Sequence, residues 1–324
     1  MTQNLTSSFR RALCAAAVFT LATTHAAIVI TPVYDVSFLT NPNFGALQTT
    51  VTNALAIYSS NVGNNLALNI SFKLDPLVTG AQSSFFTSNF TYASFRAALV
   101  THATTANDTT ALANLSVGPN DPVIGGASVA VPQALGFALG LSGAQGNYGT
   151  VSFNTASYQT NPAGFLGVIQ HEVNEVLGTG SSLPNNTGVG TLPTTIAPAD
   201  LFRYATGAAR SFSLNLTSVP TNKAFFRLSP GGANLQEFNN LPNGGDYGDW
   251  AANGSFADAP QDQAGPTTTF TSMSISPAEL LLLDAIGYSA VPVPEPGTVA
   301  ALASVALGWL SIRRGRRGKF SARP

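Results

Sequence analysis

The segment GVIQHEVNEVLG, residues 167–178, decides how this chain is interpreted. Only 9% of the 324 residues are charged and only three are His, so one His and two Glu within five positions stand out. Residues i and i+4 of a helix share a face. His171 and Glu175 are therefore expected to point the same way, one turn apart, as two ligands of a single cation.

The glutamate that follows His171 adds acid–base chemistry to the segment. In the zincin pattern H-E-x-x-H, a glutamate at the position of Glu172 polarises a metal-bound water and moves its proton. Here Glu175 replaces the second His of that pattern. A carboxylate ligand adds negative charge, which makes the metal a weaker Lewis acid than a His ligand would. Zn²⁺ is the expected cation, and another divalent cation is the alternative.

The third metal ligand must come from outside this segment. A catalytic zinc site uses three protein ligands and leaves one position open for water. Gly178 matches the glycine of the extended metzincin pattern, but Ser181 occupies the position of its third ligand. The candidates, in order of preference, are Asp200, then Asp246 and Asp249, then His102. The run GGDYGDW, residues 244–250, is interpreted as a tight acidic turn, with a calcium loop as the alternative.

The N-terminus has the composition of a secretory signal peptide. Arg10 and Arg11 precede an apolar run at residues 12–22, and small residues surround positions 24–27. Residues 1–27 are therefore predicted to be removed on export. Removal would take with it Cys14, the only cysteine, and so excludes disulfides and thiolate ligands from the mature chain.

The C-terminus resembles the PEP-CTERM sorting signal of Gram-negative bacteria. Pro294, Glu295 and Pro296 precede an apolar stretch at 298–312 and then a cluster of arginines, which places the signal at 291–318. The resemblance implies recognition by an exosortase and transient anchoring in the inner membrane by the short C-terminal helix. The protein would then pass to the cell surface or extracellular matrix. A plain tail anchor is the alternative, and the arginines fit the positive-inside rule.

The charge balance of the segment between these two signals argues against nucleic acid as a partner. Residues 28–290 hold six of the basic residues and fourteen of the acidic ones, a net charge of about −8. Nucleic-acid binding requires a basic surface. The basic residues are concentrated instead in the predicted signals.

The same segment is predicted to form one domain with alternating helices and strands. Apolar spacing predicts that a helix at 46–58 and a strand at 66–72 open the core. The motif helix carries an apolar stripe made of Phe165, Leu166, Ile169, Val173, Val176 and Leu177. Further elements are predicted as a helical region at 92–115, strands at 127–131, 149–154 and 224–228, a helix at 132–141, and a final helix capped by Ser276.

The order of these features resembles a bacterial zincin-type family of metalloproteases. It is carried by the strand before the motif, the segment 165–178, DLFRY at 200–204, GDYGDW at 245–250, and the closing helix that ends in DAIGY at 284–288. The resemblance implies an α+β, zincin-like (metzincin-like) single catalytic domain at 28–290, with a mixed sheet packed against the active-site helix.

The family's implied activity is zinc-dependent hydrolysis of a protein or peptide. By analogy, the metal polarises the peptide carbonyl, while Glu172 takes a proton from water and delivers it to the leaving amine. His171, Glu175 and Asp200 are the expected metal ligands. Tyr204 and Arg203 are candidate hydrogen-bond donors to the transition state.

Two other functions remain as alternatives. A non-catalytic extracellular matrix or adhesion protein on a degenerate zincin scaffold would suit the few charges, the many small polar residues and the sorting signal. A glycosidase that uses Glu172 and Glu175 is disfavoured, because carboxylates one turn apart on a helix rarely reach the separation that sugar hydrolysis requires.

Overall fold

The computed structural model describes residues 27–78, 80–154, 162–183, 193–207, 209–210, 223–240, 246–251 and 275–290. These residues belong to one compact unit that ends at Ala290. Residues 1–26 of the predicted signal peptide and the whole of the predicted sorting signal, from residue 291, lie outside the described residues. Within the described part of the chain, no helix has the length and apolar character needed to cross a membrane.

A four-stranded mixed sheet forms the centre of the fold. The strands are β1 (Ile28–Tyr34), β2 (Leu66–Leu74), β3 (Ala81–Ser84), β4 (Thr87–Thr91), β5 (Ser128–Pro132), β6 (Gly149–Phe153), β7 (Arg203–Tyr204), β8 (Phe225–Phe226) and β9 (Gln236–Glu237). The central sheet has the order β1-β2-β6-β3, in which the first three strands are parallel and β3 is an antiparallel edge. Strands β4 and β5 form an antiparallel pair, and β7, β8 and β9 form a small antiparallel sheet.

Helices cover the central sheet and frame the motif. They are α1 (Val36–Leu39), α2 (Phe44–Asn61), α3 (Tyr92–His102), α4 (Ala106–Ala113), α5 (Gln133–Ala138), α6 (Pro162–Leu177) and α7 (Pro277–Ile286), and a 3₁₀ helix covers Pro198–Phe202. Helix α6 carries the motif and packs against α2, β3 and β6. The chain is therefore α+β with a mixed sheet against the motif helix, as the sequence predicts.

The opening of the core differs from the sequence prediction. Strand β1 precedes α2 and pairs in parallel with β2 from Ile28 to Tyr34, whereas the apolar pattern predicted that a helix comes first. The strand was missed because Pro32 interrupts it and because it adjoins the predicted cleavage region. Proline is tolerated there because β1 lies at the edge of the described sheet, next to β2.

Two helical regions follow the local signals in the sequence. The predicted helical region at 92–115 forms two helices, because Thr105 caps α4 through a capping box with Asp108. Ser276 caps α7 as predicted, and Gly287 ends that helix with a φ of 120°. Glycine adopts such a conformation without strain, so local residues determine both ends of the closing helix.

A chain of buried polar groups links α6 to the neighbouring helices α2 and α7. The Tyr58 hydroxyl of α2 lies 2.9 Å from the Gln170 carbonyl oxygen and 2.8 Å from Asn174 Oδ1. Asn174 Nδ2 lies 3.4 Å from Glu279 Oε1 on α7. Tyr58, Asn174 and Glu279 are each fully buried. This network fixes the rotation of α6 about its axis and hence the direction of its functional side chains.

We expect Tyr58→Phe to lower the free energy of unfolding by about 1–3 kcal/mol, because Asn174 Oδ1 loses a buried hydrogen-bond donor. Tyr92→Phe is the control, since the Tyr92 hydroxyl donates to the partly buried Ser116 carbonyl, 3.0 Å away and nearer to solvent. Urea denaturation measures both variants. A loss in Tyr58→Phe no larger than that in Tyr92→Phe would show that the network does not hold α6.

Candidate metal centre

Helix α6 buries one face and directs its motif residues to the other. Five members of the predicted stripe are at most 1% exposed, while Leu166 is only partly buried; the five are Phe165, Ile169, Val173, Val176 and Leu177. The side chains of His171 and Glu175 are each 16% exposed. The helix ends at Gly178, whose φ of 116° lies in the left-handed region. The loop after it turns towards the acidic residues described next.

Three side chains converge into a potential metal site. His171 Nε2 lies 3.8 Å from Glu175 Oε1 and 3.6 Å from Asp249 Oδ1. One ligand atom from each of His171, Glu175 and Asp249 lies within 4.8 Å of the other two. One imidazole nitrogen and two carboxylate oxygens form a donor set that suits a divalent cation such as zinc. The structure thus brings together both predicted ligands of α6 and a third from the acidic turn.

Asp200, the preferred third ligand in the sequence analysis, is not part of this group. Its Oδ1 accepts a hydrogen bond from Ser181 Oγ at 2.6 Å, and its Oδ2 accepts from the Ser182 backbone at 3.0 Å and from Ser182 Oγ at 2.7 Å. The Ala197 backbone also donates to Oδ2, at 3.0 Å, and the residue is fully buried. Both oxygens of Asp200 are thus used to join the loop after α6 to the 3₁₀ helix.

Asp249 is held in place through its backbone. The backbone N–H of Asn239 donates a hydrogen bond to the backbone carbonyl oxygen of Asp249 at 2.6 Å. The side-chain Nδ2 of Asn239 donates to the backbone carbonyl oxygen of Asp246 at 3.0 Å. Next to them the rings of Phe238 and Trp250 lie 4.9 Å apart. Asn239 and these two rings therefore fasten the turn to the small sheet. These contacts arise only in the tertiary structure, since no local sequence pattern predicts that Asn239 supports Asp249.

Close backbone packing holds the acidic turn against the end of α6. A Cβ atom on Gly248 would lie 2.7 Å from the Thr179 carbonyl oxygen and 2.8 Å from the Ser181 nitrogen. Asp246 accepts hydrogen bonds from the Ser181 backbone at 3.2 Å and from the Gly248 backbone at 2.5 Å. Ser181, which stands at the third-ligand position of the metzincin pattern, therefore contacts both Asp200 and Asp246. It supports the loop around the site.

Arg203 lies beneath the turn as a buried cation. It is 1% exposed, its Nη1 donates to the Tyr247 carbonyl oxygen, and its Cζ lies 4.5 Å above the Phe238 ring. Burial lowers the pKa of Arg203 to about 10, against the opposing effect of Asp200 and Asp246. Arg203 is therefore charged at neutral pH and offsets part of the acidity of the turn.

Tyr204 and Arg203, the two candidate hydrogen-bond donors to the transition state, are both buried. Tyr204 is fully buried, with the guanidinium of Arg210 4.7 Å from its ring centre. Arg203 donates a hydrogen bond to the Tyr247 carbonyl oxygen of the acidic turn. Both residues therefore make contacts within the core of the fold.

The electrostatics of the site favour a bound cation. Burial raises the pKa of Glu172 to about 8, assisted by the charges of Glu175 and Asp249 and opposed by His171. Burial likewise raises the pKa of Asp246 to about 7, with Glu175 as the next cause. Without a cation, these carboxyl groups retain protons near neutral pH. A divalent cation among them would compensate the concentrated negative charge.

We expect Asp249→Asn to reduce zinc binding strongly, as His171→Ala does, because the first change removes the negative charge of one proposed ligand and the second removes another proposed ligand altogether. Asp200→Asn is the matched control. It should lower the melting temperature yet leave about one zinc per chain, because Asp200 serves the loop. Elemental analysis of the purified variants checks this. Zinc lost from Asp200→Asn but retained in Asp249→Asn would reverse the assignment of the third ligand.

A second prediction concerns the pH dependence of stability in the absence of metal. Glu172 binds its proton more tightly when folded, so its contribution to stability is full at pH 4 and is lost as the pH rises through about 8. Glu172→Gln removes that titration. In the presence of a chelator, the melting temperature of the wild type should therefore fall relative to Glu172→Gln between pH 6 and pH 9. A constant difference between the two proteins over this range would contradict the raised pKa.

Comparisons with protein-family models, with curated proteins and with solved structures find no match. The functional interpretation of the site rests on the residues that form it.

Proposed function

We propose that this protein is an exported, zinc-dependent peptidase whose metal is held by His171, Glu175 and Asp249. The observation that carries the proposal is a buried Glu172 on α6, directly next to His171 and Glu175, which form a three-donor group with Asp249 of the acidic turn. An acid–base group beside a metal site is the minimum that metal-assisted hydrolysis requires. The zincin-like character of the scaffold is part of the same proposal.

Glu172 is the residue proposed to move protons. It is 5% exposed, and its carboxyl group interacts with Glu175, His171 and Asp249. When bound, the cation supplies Lewis acidity to the peptide carbonyl and to water. Its positive charge also favours the carboxylate form of Glu172, which then accepts a proton from water and donates it to the leaving amine.

The donor set distinguishes this site from one with two or three histidines. Two of its three ligands are carboxylates, so the positive charge at the metal is more fully neutralised. A weaker Lewis acid is expected, and a harder divalent cation such as Mn²⁺ competes better with zinc here than at a histidine-rich site. Zinc is the proposed metal, with another divalent cation as the alternative.

The cellular setting is proposed from the sequence. The N-terminal signal and the PEP-CTERM-like tail support export across the inner membrane, processing by an exosortase at Pro294, Glu295 and Pro296, and delivery to the cell surface or extracellular matrix. A protein or peptide in that compartment is the proposed substrate. The shortage of basic residues outside the signals argues against nucleic acid.

We expect Glu172→Gln to retain zinc but to lower turnover by about 10²–10⁴-fold, the usual contribution of a general acid–base group. The measurement is casein hydrolysis by the purified full-length protein, with elemental analysis of the same samples. His171→Ala should lose both zinc and turnover. Undiminished turnover in Glu172→Gln would exclude the proposed role of this residue.

The chelator response separates the peptidase from the rival function. Cleavage that stops with chelator and returns with zinc would support the peptidase. About one zinc per chain with no cleavage of any protein tested would favour the non-catalytic matrix or adhesion protein.

A further inference from the structure

Strand β3 contributes a hydroxyl group to the proposed metal site. Ser83 Oγ donates a hydrogen bond to Glu175 Oε2 over 2.5 Å, although the two residues lie 92 positions apart. Ser83 is partly buried, whereas the next residue, Ser84, is exposed on the opposite face of the strand. A hydrogen bond to a carboxylate is charge-assisted and stronger than one between neutral groups.

The two oxygens of Glu175 thus have different environments. Oε1 lies 3.8 Å from His171 Nε2 on the side of the three-donor group, while Oε2 is taken by Ser83. A free glutamate side chain samples many rotamers and loses that freedom when it binds. Because Ser83 is fixed on strand β3, its hydrogen bond restricts the rotamers of Glu175 before a metal binds.

The backbone that carries Ser83 is held at a set distance from α6. Ser83 pairs with Val151 of β6, and β6 approaches α6 closely at Gly149. A Cβ atom on Gly149 would lie 2.8 Å from Val176 Cγ2 and 3.2 Å from the Ser84 carbonyl oxygen. Glycine at this position therefore permits the close approach of sheet and helix that brings Ser83 to Glu175. A donor on packed elements is positioned more precisely than one on a loop.

We propose that Ser83 is a positioning residue that selects the cation, because its hydrogen bond to Oε2 competes with metal binding at that oxygen and presents Oε1 of Glu175 towards His171. This rests on the proposed metal site. Zinc accepts a single carboxylate oxygen in a tetrahedral set, whereas calcium takes six to eight oxygens and often both from one carboxylate. A glutamate that binds through one oxygen therefore favours zinc over calcium.

The test is the affinity of the full-length protein for zinc and for calcium, each titrated alone by calorimetry, in wild type, Ser83→Ala, Ser83→Thr and Ser84→Ala. Ser83→Ala should weaken zinc binding by about 10–100-fold, the usual effect of losing a partner of a metal ligand. It should also lower the preference for zinc over calcium. Ser83→Thr keeps a hydroxyl and should restore both values. Ser84→Ala, on the other face of β3, should have the zinc affinity and the cation preference of the wild type.

Three outcomes would overturn the role of Ser83. The first is wild-type zinc affinity and cation preference in Ser83→Ala. The second is weakened zinc binding that Ser83→Thr does not restore and that accompanies a lower melting temperature of the metal-free protein, which would indicate a general packing role. The third is absence of zinc binding in the wild type, which would reject the metal site itself and is thereby distinguishable from the first two.

Discussion

The close packing of α6 against β6 and β3 is the contact on which the rest of the site depends. Gly149 allows Val176 to press against the sheet, and the buried stripe of α6 fills the space on either side. With that face fixed, helical geometry directs His171 and Glu175 to the opposite face. The acidic turn then reaches them because Gly248 meets the loop after α6 at backbone distance. The core thus orients the ligands before any metal binds.

Charge explains why this arrangement favours a cation. Glu172 and Asp249 are buried, Asp246 and Glu175 are partly buried, and Arg203 lies beneath the turn as a buried cation. The raised pKa values of Glu172 and Asp246 express the free-energy cost of ionising them there. In the proposed mechanism, a bound divalent cation would relieve that cost and permit Glu172 to act as a base. Metal binding, folding stability and acid–base chemistry would then be coupled through the same few carboxylates.

Much of the local structure could be predicted from sequence because its determinants are local. The apolar spacing of α6, the Ser276 cap of α7 and the Gly178 terminus each depend on neighbouring residues. Strand β1 was not predicted, because Pro32 breaks the pattern of a strand that is nevertheless stabilised by its pairing with β2. The short strands of the small sheet carry two residues each, too few for a periodic signal.

The sequence by itself determined the chemistry of α6: which residues offer ligands, that His171 and Glu175 share a face, and that Glu172 stands beside them. Only the tertiary structure distinguishes Asp249 from Asp200, because it places Asp249 next to His171 and Glu175 and engages both oxygens of Asp200 with donors from the loop after α6. Ser181 and Ser182 engage Asp200, whereas Asn239 and the Phe238–Trp250 pair hold the turn that presents Asp249. Ser83 likewise reaches Glu175 only through strand pairing. Periodicity reports which residues share a face, but contacts between distant segments arise only when the core is packed.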